Sequence, residues 1–108
     1  MDDDHAATAL AALGHPARLR LFRLLVRAEP DGLNIGALGR HLGLAPSTLA
    51  HHLGALKGAG LVRQARVGRE TINHADTAAM RRLFAHVEAD CCAGIGRPDA
   101  ALSEEGAA

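Results

Sequence analysis

Two adjacent thiols, Cys91 and Cys92, are the only cysteines in 108 residues, in the stretch Asp90-Cys91-Cys92-Ala93-Gly94. A neighbouring pair of thiolates can chelate a soft ion, pass through reversible oxidation or simply serve as small hydrophobic side chains. A second concentration of chemistry lies earlier, in Leu42–Gly60, LGLAPSTLAHHLGALKGAG. Its hydroxyls (Ser47, Thr48) and imidazoles (His51, His52) donate and accept hydrogen bonds. Three guanidinium groups follow at Arg63, Arg66 and Arg69. Hydroxyls and backbone N–H groups near a helix start bind phosphate, and guanidinium neutralises it.

These groups need elements to hold them. Rotating 100° per residue from Leu49 puts Leu53 and Leu56 within about 40° of it, a buried stripe. Ser47, His51, Gly54 and Gly58 fall on the opposite side. His52 sits at the edge of the stripe, where packing or a local hydrogen bond is its expected role. The two glycines are poor helix formers, and their exposed position fits close approach by something bulky. Gly43 suits the left-handed position after the preceding helix, and Pro46 opens this one, called the reading helix below for the use it suits. Beyond it, Leu61–Val67 and Glu70–His74 read as two strands about Val67-Gly68-Arg69, with Gly68 permitting the turn. A helix with one aliphatic and one polar side, followed by a basic hairpin, suits the major groove of DNA.

The remaining pattern is helical. Asp4 to Leu13 forms a first helix with a narrow stripe of Ala6, Ala9, Leu10 and Leu13. Pro16 opens a second, in which Leu21, Phe22, Leu24, Leu25 and Val26 face the core while Arg20, Arg23 and Arg27 keep to the other side. Glu29-Pro30-Asp31-Gly32 is a turn. Asn34 caps a third helix with Ile35, Leu38 and Leu42 on its apolar side. Asp76 is the cap of a last helix whose stripe runs Met80, Leu83, Phe84, Val87, Cys91. That stripe is long for a terminal helix, and a twofold-related copy is its natural partner. The fold class is therefore mainly α with a small two-stranded β-wing, a winged helix-turn-helix. The domain is expected over 1–94, with a flexible C-terminal tail over 95–108.

Composition narrows the function. The chain is 48% hydrophobic with two Phe and no Trp or Tyr, so its core is aliphatic. A scarcity of aromatics disfavours RNA and single strands, which are gripped by base stacking. Formal net charge is zero, yet Gly14–His74 holds nine Arg or Lys against three acids, Glu29, Asp31 and Glu70. A basic middle between acidic ends fits a phosphate backbone, although an ordinary solvated surface would also carry it. No apolar run of about 18 residues exists, so no membrane span is expected. The acidic start, MDDDHAATAL, is unlike a signal peptide, and the expected location is the cytoplasm. An enzyme is not expected: there is no glycine-rich phosphate loop, no acid or nucleophile at motif spacing from the seven His, and no Cys-x-x-Cys.

In this order of elements the sequence resembles the ArsR/SmtB family of bacterial repressors. The matching segments are ALGHPARLRLFRLL, LGLAPSTLAHHLGALKGAGLV and VGRE, and the resemblance covers about residues 6 to 92. It implies a homodimer built on the first and last helices, with Leu10, Leu13, Met80, Leu83, Phe84 and Val87 at the interface. It implies two reading helices in successive major grooves of an imperfect palindrome in operator DNA, with the wings near the minor groove. By position, Ser47, Thr48 and His51 become base or phosphate contacts, Arg66 and Arg69 wing contacts, and Lys57 a phosphate contact.

The resemblance also frames the thiols. Relatives with Cys-Cys at this place resemble trivalent-arsenic sensors, with a further Cys downstream. Here Gly96-Arg97-Pro98-Asp99-Ala100-Ala101 supplies none. Two thiols suit an arsenical that already carries an organic group, or mercury; arsenite would need a third ligand. The third helix lacks the cysteines some members place there. Asp76 matches the first ligand of the family's zinc, cobalt or nickel site, but Ala78, Ala89 and Cys92 stand where its histidines would be, so zinc sensing is not expected. No cofactor is obligatory. Three readings stay open: a repressor released by a soft metalloid at Cys91 and Cys92, one switched by thiol oxidation or persulfidation, and a winged-helix protein-interaction module that binds no DNA.

Overall fold

The computed structural model describes residues 1–96; from residue 97 on, the expected tail lies outside the described residues. Helices α1 (Asp3–Leu13), α2 (Pro16–Ala28), α3 (Ile35–Leu42) and α4 (Pro46–Gly58) precede an antiparallel hairpin, β1 (Val62–Val67) and β2 (Glu70–Ala75), and helix α5 (Thr77–Glu88) closes the order. This is the winged helix-turn-helix the sequence predicts. Among the described residues no helix is long and apolar enough to cross a membrane.

The boundaries follow local chemistry. Asp2 Oδ1 caps α1 by accepting from the His5 amide at 2.8 Å. His15 Nδ1 accepts from the Ala17 amide at 3.2 Å and Pro16 begins α2. Asn34 and Asp76 cap α3 and α5 by accepting from Ala37 and Ala79, at 2.8 and 2.9 Å. Each satisfies an amide that the first helical turn leaves without a partner. Gly43 closes α3 in the left-handed region at φ +68°, and the reading helix stops at Gly58, two residues before the expected Gly60.

The core is aliphatic. Leu21 and Leu25 of α2, Leu38 of α3, Leu49 and Leu56 of α4, Leu61 before β1 and Leu83 of α5 are all essentially inaccessible. The inner side of α1 is Ala6, Ala9 and Ala12, and Leu10 points outward. The expected stripe is thus rotated: three alanines let α1 lie close against its neighbours, and the larger leucine does not fit beneath it. In α3 only Leu38 is buried, and Ile35 lies open.

The last helix departs most from expectation. Leu83 is sealed inside the protomer, so it serves the core rather than a surface between copies. Leu13 and Met80 pack half-buried against that core. Phe84 and Val87 remain outside at 47% and 58% exposure, with Leu10 at 43%. The helix also ends at Glu88, so Cys91 does not continue its stripe. Asp90 and Cys92 take left-handed backbone angles, φ +62° and +63°, which break the helical repeat. Two side-chain contacts brace the frame: His86 Nε2 lies 2.7 Å from Asp3 Oδ1 between α5 and α1, and His74 Nδ1 lies 2.9 Å from Glu29 Oε2.

Candidate nucleic-acid interface

Helices α3 and α4 form the helix-turn-helix, and their close crossing has a visible cause. A Cβ on Gly39 would stand 3.3 Å from the Leu44 carbonyl oxygen and 3.6 Å from Leu49 Cδ1. Absence of a side chain there lets the turn fold down onto α3. Leu49, Leu53 and Leu56 then anchor α4 inward, as the helical projection predicts. Ser47, Thr48, His51, Gly54, Lys57 and Gly58 are all exposed.

The start of α4 is unusual in this chain. Ala45 occupies its cap position and offers no side-chain hydrogen bond. The first-turn amides of Ser47 and Thr48, which have no intrahelical partner, therefore also lack a capping acceptor. Together with the two hydroxyls they make a compact donor set at the positive end of a helix dipole.

The two histidines separate as their positions demand. His51 is exposed and His52 is buried, 6% accessible. The His52 ring lies 4.9 Å from that of His15 and 5.8 Å from that of His51. Its Nδ1 has no hydrogen-bond partner among the described residues, nor does the buried Nε of Arg18. Burial pushes the His52 imidazole below its ordinary pKa of 6.5, and the neighbouring His15, Arg18 and His51 push in the same direction. His52 is a neutral packing residue behind the exposed face.

The wing pairs Val62 with Ala75 through Val67 with Glu70, around Gly68 at φ +64°. Strand alternation divides its cations. Arg66 shares a face with Gln64, the face turned to α4. Arg63 takes the other face, where its guanidinium stands 3.9 Å from Glu29. Arg69 sits in the turn, exposed like Arg66.

A chain of amide contacts, invisible in the sequence, fixes the wing to the helix. Lys57 Nζ donates to Gln64 Oε1 at 3.1 Å, Gln64 Nε2 to Asn73 Oδ1 at 2.8 Å, and Asn73 Nδ2 to the Leu33 carbonyl at 3.1 Å. Lys57, expected at phosphate, is thus also a strut. Leu33 and Asn73 form a backbone bridge as well, adding a short third edge to the sheet. Asn34 Nδ2 donates to Glu70 Oε1 at 2.8 Å, so the α3 cap also holds the wing. Residues 40 positions apart give no periodic signal, and only the fold brings them together.

The thiols lie elsewhere, past the end of α5. Both are exposed in the protomer, so Cys91 does not pack in its core. Their sulfur atoms are 3.4 Å apart. Bonds from the Cys91 amide to Glu88 and from the Ala93 amide to Asp90 hold the turn that carries them. Among the described residues no cluster of three or more His, Cys, Asp or Glu is arranged to hold a metal ion.

Comparison with known proteins agrees with this architecture. A sequence model of the helix-turn-helix domain matches residues 13–65. An ArsR-like transcriptional regulator from Rhodococcus sp. RHA1 superposes with a TM-score of 0.72 at 29% identity, over 79% of this chain and 77% of that one. A possible transcriptional regulatory protein from Mycobacterium bovis, in a crystal structure of its residues 1–100, is 30% identical over 79% of this chain and 88% of its own, with a TM-score of 0.64. In solution that domain is described as a homodimeric winged helix-turn-helix DNA-binding domain of a possible ArsR-family regulator; there the identity is 28%, over 82% and 84%, and the TM-score 0.66. A possible transcriptional regulator for arsenical resistance is 26% identical over 89% of this chain and 94% of its own, with a TM-score of 0.64. No curated protein sequence matches. The Rhodococcus relative is an ArsR-like transcriptional regulator and the others are possible transcriptional regulators. With its helix-turn-helix, its wing and its relatives in accord, the chain belongs to the ArsR family of winged helix-turn-helix transcriptional regulators.

Proposed function

We propose that this protein is a cytoplasmic, homodimeric repressor that holds operator DNA through α4 and the wing and releases it when a thiophilic metalloid binds Cys91 and Cys92. Ser47, Thr48 and His51 contact bases or phosphates from the exposed side of α4. Arg66 and Arg69 contact the backbone or minor groove from the wing, and Lys57 reaches phosphate with the N–H groups that Gln64 leaves free. Support for the dimer comes from Leu10, Phe84 and Val87, large apolar side chains left outside on α1 and α5, and from the homodimeric Mycobacterium bovis relative.

The observation that carries the inducer reading is the pair of exposed sulfurs 3.4 Å apart. Two sulfurs so close can both bond one trivalent arsenic atom. The chain has no third thiol, so an arsenical that brings its own carbon substituent fits best. With phenylarsine oxide, two As–S bonds form, and the arsenic-bound oxygen leaves as water with both thiol protons. Exposure of both thiols equally favours a second reading, release on oxidation or persulfidation.

One titration separates these readings. Fluorescence anisotropy of a labelled operator duplex follows release by phenylarsine oxide, arsenite, peroxide or polysulfide, for the wild type and for Cys91→Ser and Cys92→Ser. Release by the arsenical in the wild type alone supports the metalloid reading. Release by peroxide or polysulfide only, with mass added at either cysteine, replaces it with the oxidative one. Release that persists in both variants removes the thiols from the mechanism. Weak, salt-insensitive association with duplex would instead mark a protein-interaction module, since phosphate contacts are steeply salt-dependent.

A further inference from the structure

A cleft of about 720 Å³ lies between the first turn of α3, one side of α4 and the wing. Three cations line it from three separate elements: Arg40 of α3, Lys57 of α4 and Arg69 of the wing turn. Its single acid is Glu70, and one oxygen of that carboxylate is occupied by Asn34. Among the described residues no carboxylate stands within ion-pair distance of any of the three cations.

Two glycines, Gly36 and Gly54, stand in the lining of the cleft. A Cβ on Gly54 would meet nothing within 4 Å, and one on Gly36 would meet only Arg40 Nη1 at 3.5 Å and Asn34 Oδ1 at 3.6 Å. The contact with Nη1 locates the Arg40 guanidinium. It lies back over Gly36, along the first turn of α3, at the cleft. Nothing in the sequence singles this arginine out, because it falls outside both the reading helix and the wing.

We propose that this cleft seats one strand of the DNA backbone and that Arg40 is a phosphate-binding residue, the α3 counterpart of Lys57 and Arg69. The site rests on the DNA-binding reading above. It extends the contact surface to a helix not assigned to it. A helix preceding the reading helix commonly crosses the backbone. Here the open cleft, three cations without a carboxylate partner and the bare surface at Gly54 fit a polyanion with a bulky sugar-phosphate outline.

The test is the salt dependence of binding to a random-sequence duplex, measured for the wild type, Arg40→Gln and Arg40→Lys. One lost phosphate contact lowers the slope of log K against log salt by about 0.9. Arg40→Gln is expected to show that drop and to weaken all duplexes equally, and Arg40→Lys is expected to restore the slope. Thermal unfolding of the three proteins should coincide, since Arg40 is exposed. An unchanged slope in Arg40→Gln, beside a steep one in the wild type, overturns this proposal and leaves DNA binding intact. A wild type that binds no duplex at low salt overturns both. Chemical-shift titration with inorganic phosphate covers the remaining source of the anion: millimolar binding that needs Arg40, with an unchanged duplex slope, makes the cleft a free-anion site and overturns the backbone assignment.

Discussion

The imidazole of His52 lies beneath that of His15, ring centroids 4.9 Å apart and planes tilted by 53°, joining the start of α2 to the inner side of the reading helix. Both neighbours that flank this contact, His51 and Arg18, are also basic, and no carboxylate faces the buried ring. The folded state therefore disfavours a proton that the unfolded chain accepts near pH 6.5. Above that pH both states are neutral at this site and its titration leaves stability unchanged. As the pH falls through the unfolded value, proton uptake favours unfolding, and stability declines. The melting temperature should drop between pH 7.5 and 5.5, and His52→Leu should flatten the drop. Equal slopes for the two proteins would exclude His52 as the cause.

Gly54 offers a clean separation of stability from binding. Its missing Cβ points into open space, so Gly54→Ala meets no clash and gains about 1 kcal/mol of helix propensity. The same methyl narrows the surface offered to DNA. Higher melting temperature with weaker operator binding is the expected pair of results. Stabilisation with unchanged affinity would mean that nothing approaches closely there.

The inner and outer sides of α4 should fail differently. Leu49 is fully buried, and Leu49→Ala should cost about 2–5 kcal/mol through lost burial and a cavity. His51→Ala and Ser47→Ala remove exposed groups and should leave the denaturant midpoint near wild type while lowering operator affinity. Urea titration and anisotropy on the same samples check both halves.

Asn34 has two duties, as cap of α3 and as donor to Glu70. Asn34→Ala should cost about 1 kcal/mol for the cap and also free the wing. Glu70→Gln keeps the cap and changes only the wing partner. Faster hydrogen exchange of the β2 amides in Asn34→Ala than in Glu70→Gln would show the cap and the tie acting together.

Phe84 and Val87 of α5 and Leu10 of α1 stand outside, in the proposed dimer surface. Phe84→Glu should yield a monomer by sedimentation and weaken operator binding, with little change in far-ultraviolet circular dichroism. A dimer that survives the charge would place the interface elsewhere.

Much of this fold was readable because its signals are local. Asn34, Asp76 and Pro46 mark helix starts by their own chemistry, Gly43 and Gly68 mark turns, and Leu49, Leu53 and Leu56 declare one side of α4. The outward direction of Ser47, Thr48 and His51 and the inward one of His52 followed from the same periodicity. What escaped depends on packing between distant segments. Leu10 and Ala12 compete for the inner side of α1, and only the tight fit against the core decides for alanine. Leu83 looks like Phe84 in a helical pattern, yet the fold buries one and exposes the other. The end of α5 before Cys91 was also hidden, since Asp90-Cys91-Cys92 carries no proline or glycine to announce it. The Gln64–Asn73 contact, nine residues across a hairpin, depends on register rather than composition.

The Lys57–Gln64–Asn73–Leu33 relay has a consequence for the sequences this protein prefers. Its three hydrogen bonds join the reading helix to both strands and to the connection before α3. Wing and helix therefore meet a groove as jaws of nearly fixed gape. When the groove is wider or narrower than that gape, the duplex must be the partner that bends. The energy of that bending depends on base steps the protein never touches. In the operator complex proposed above, a stiff reader of this kind would select DNA by its pliability as well as by its bases, and substitutions at uncontacted positions between the proposed half-sites should alter affinity.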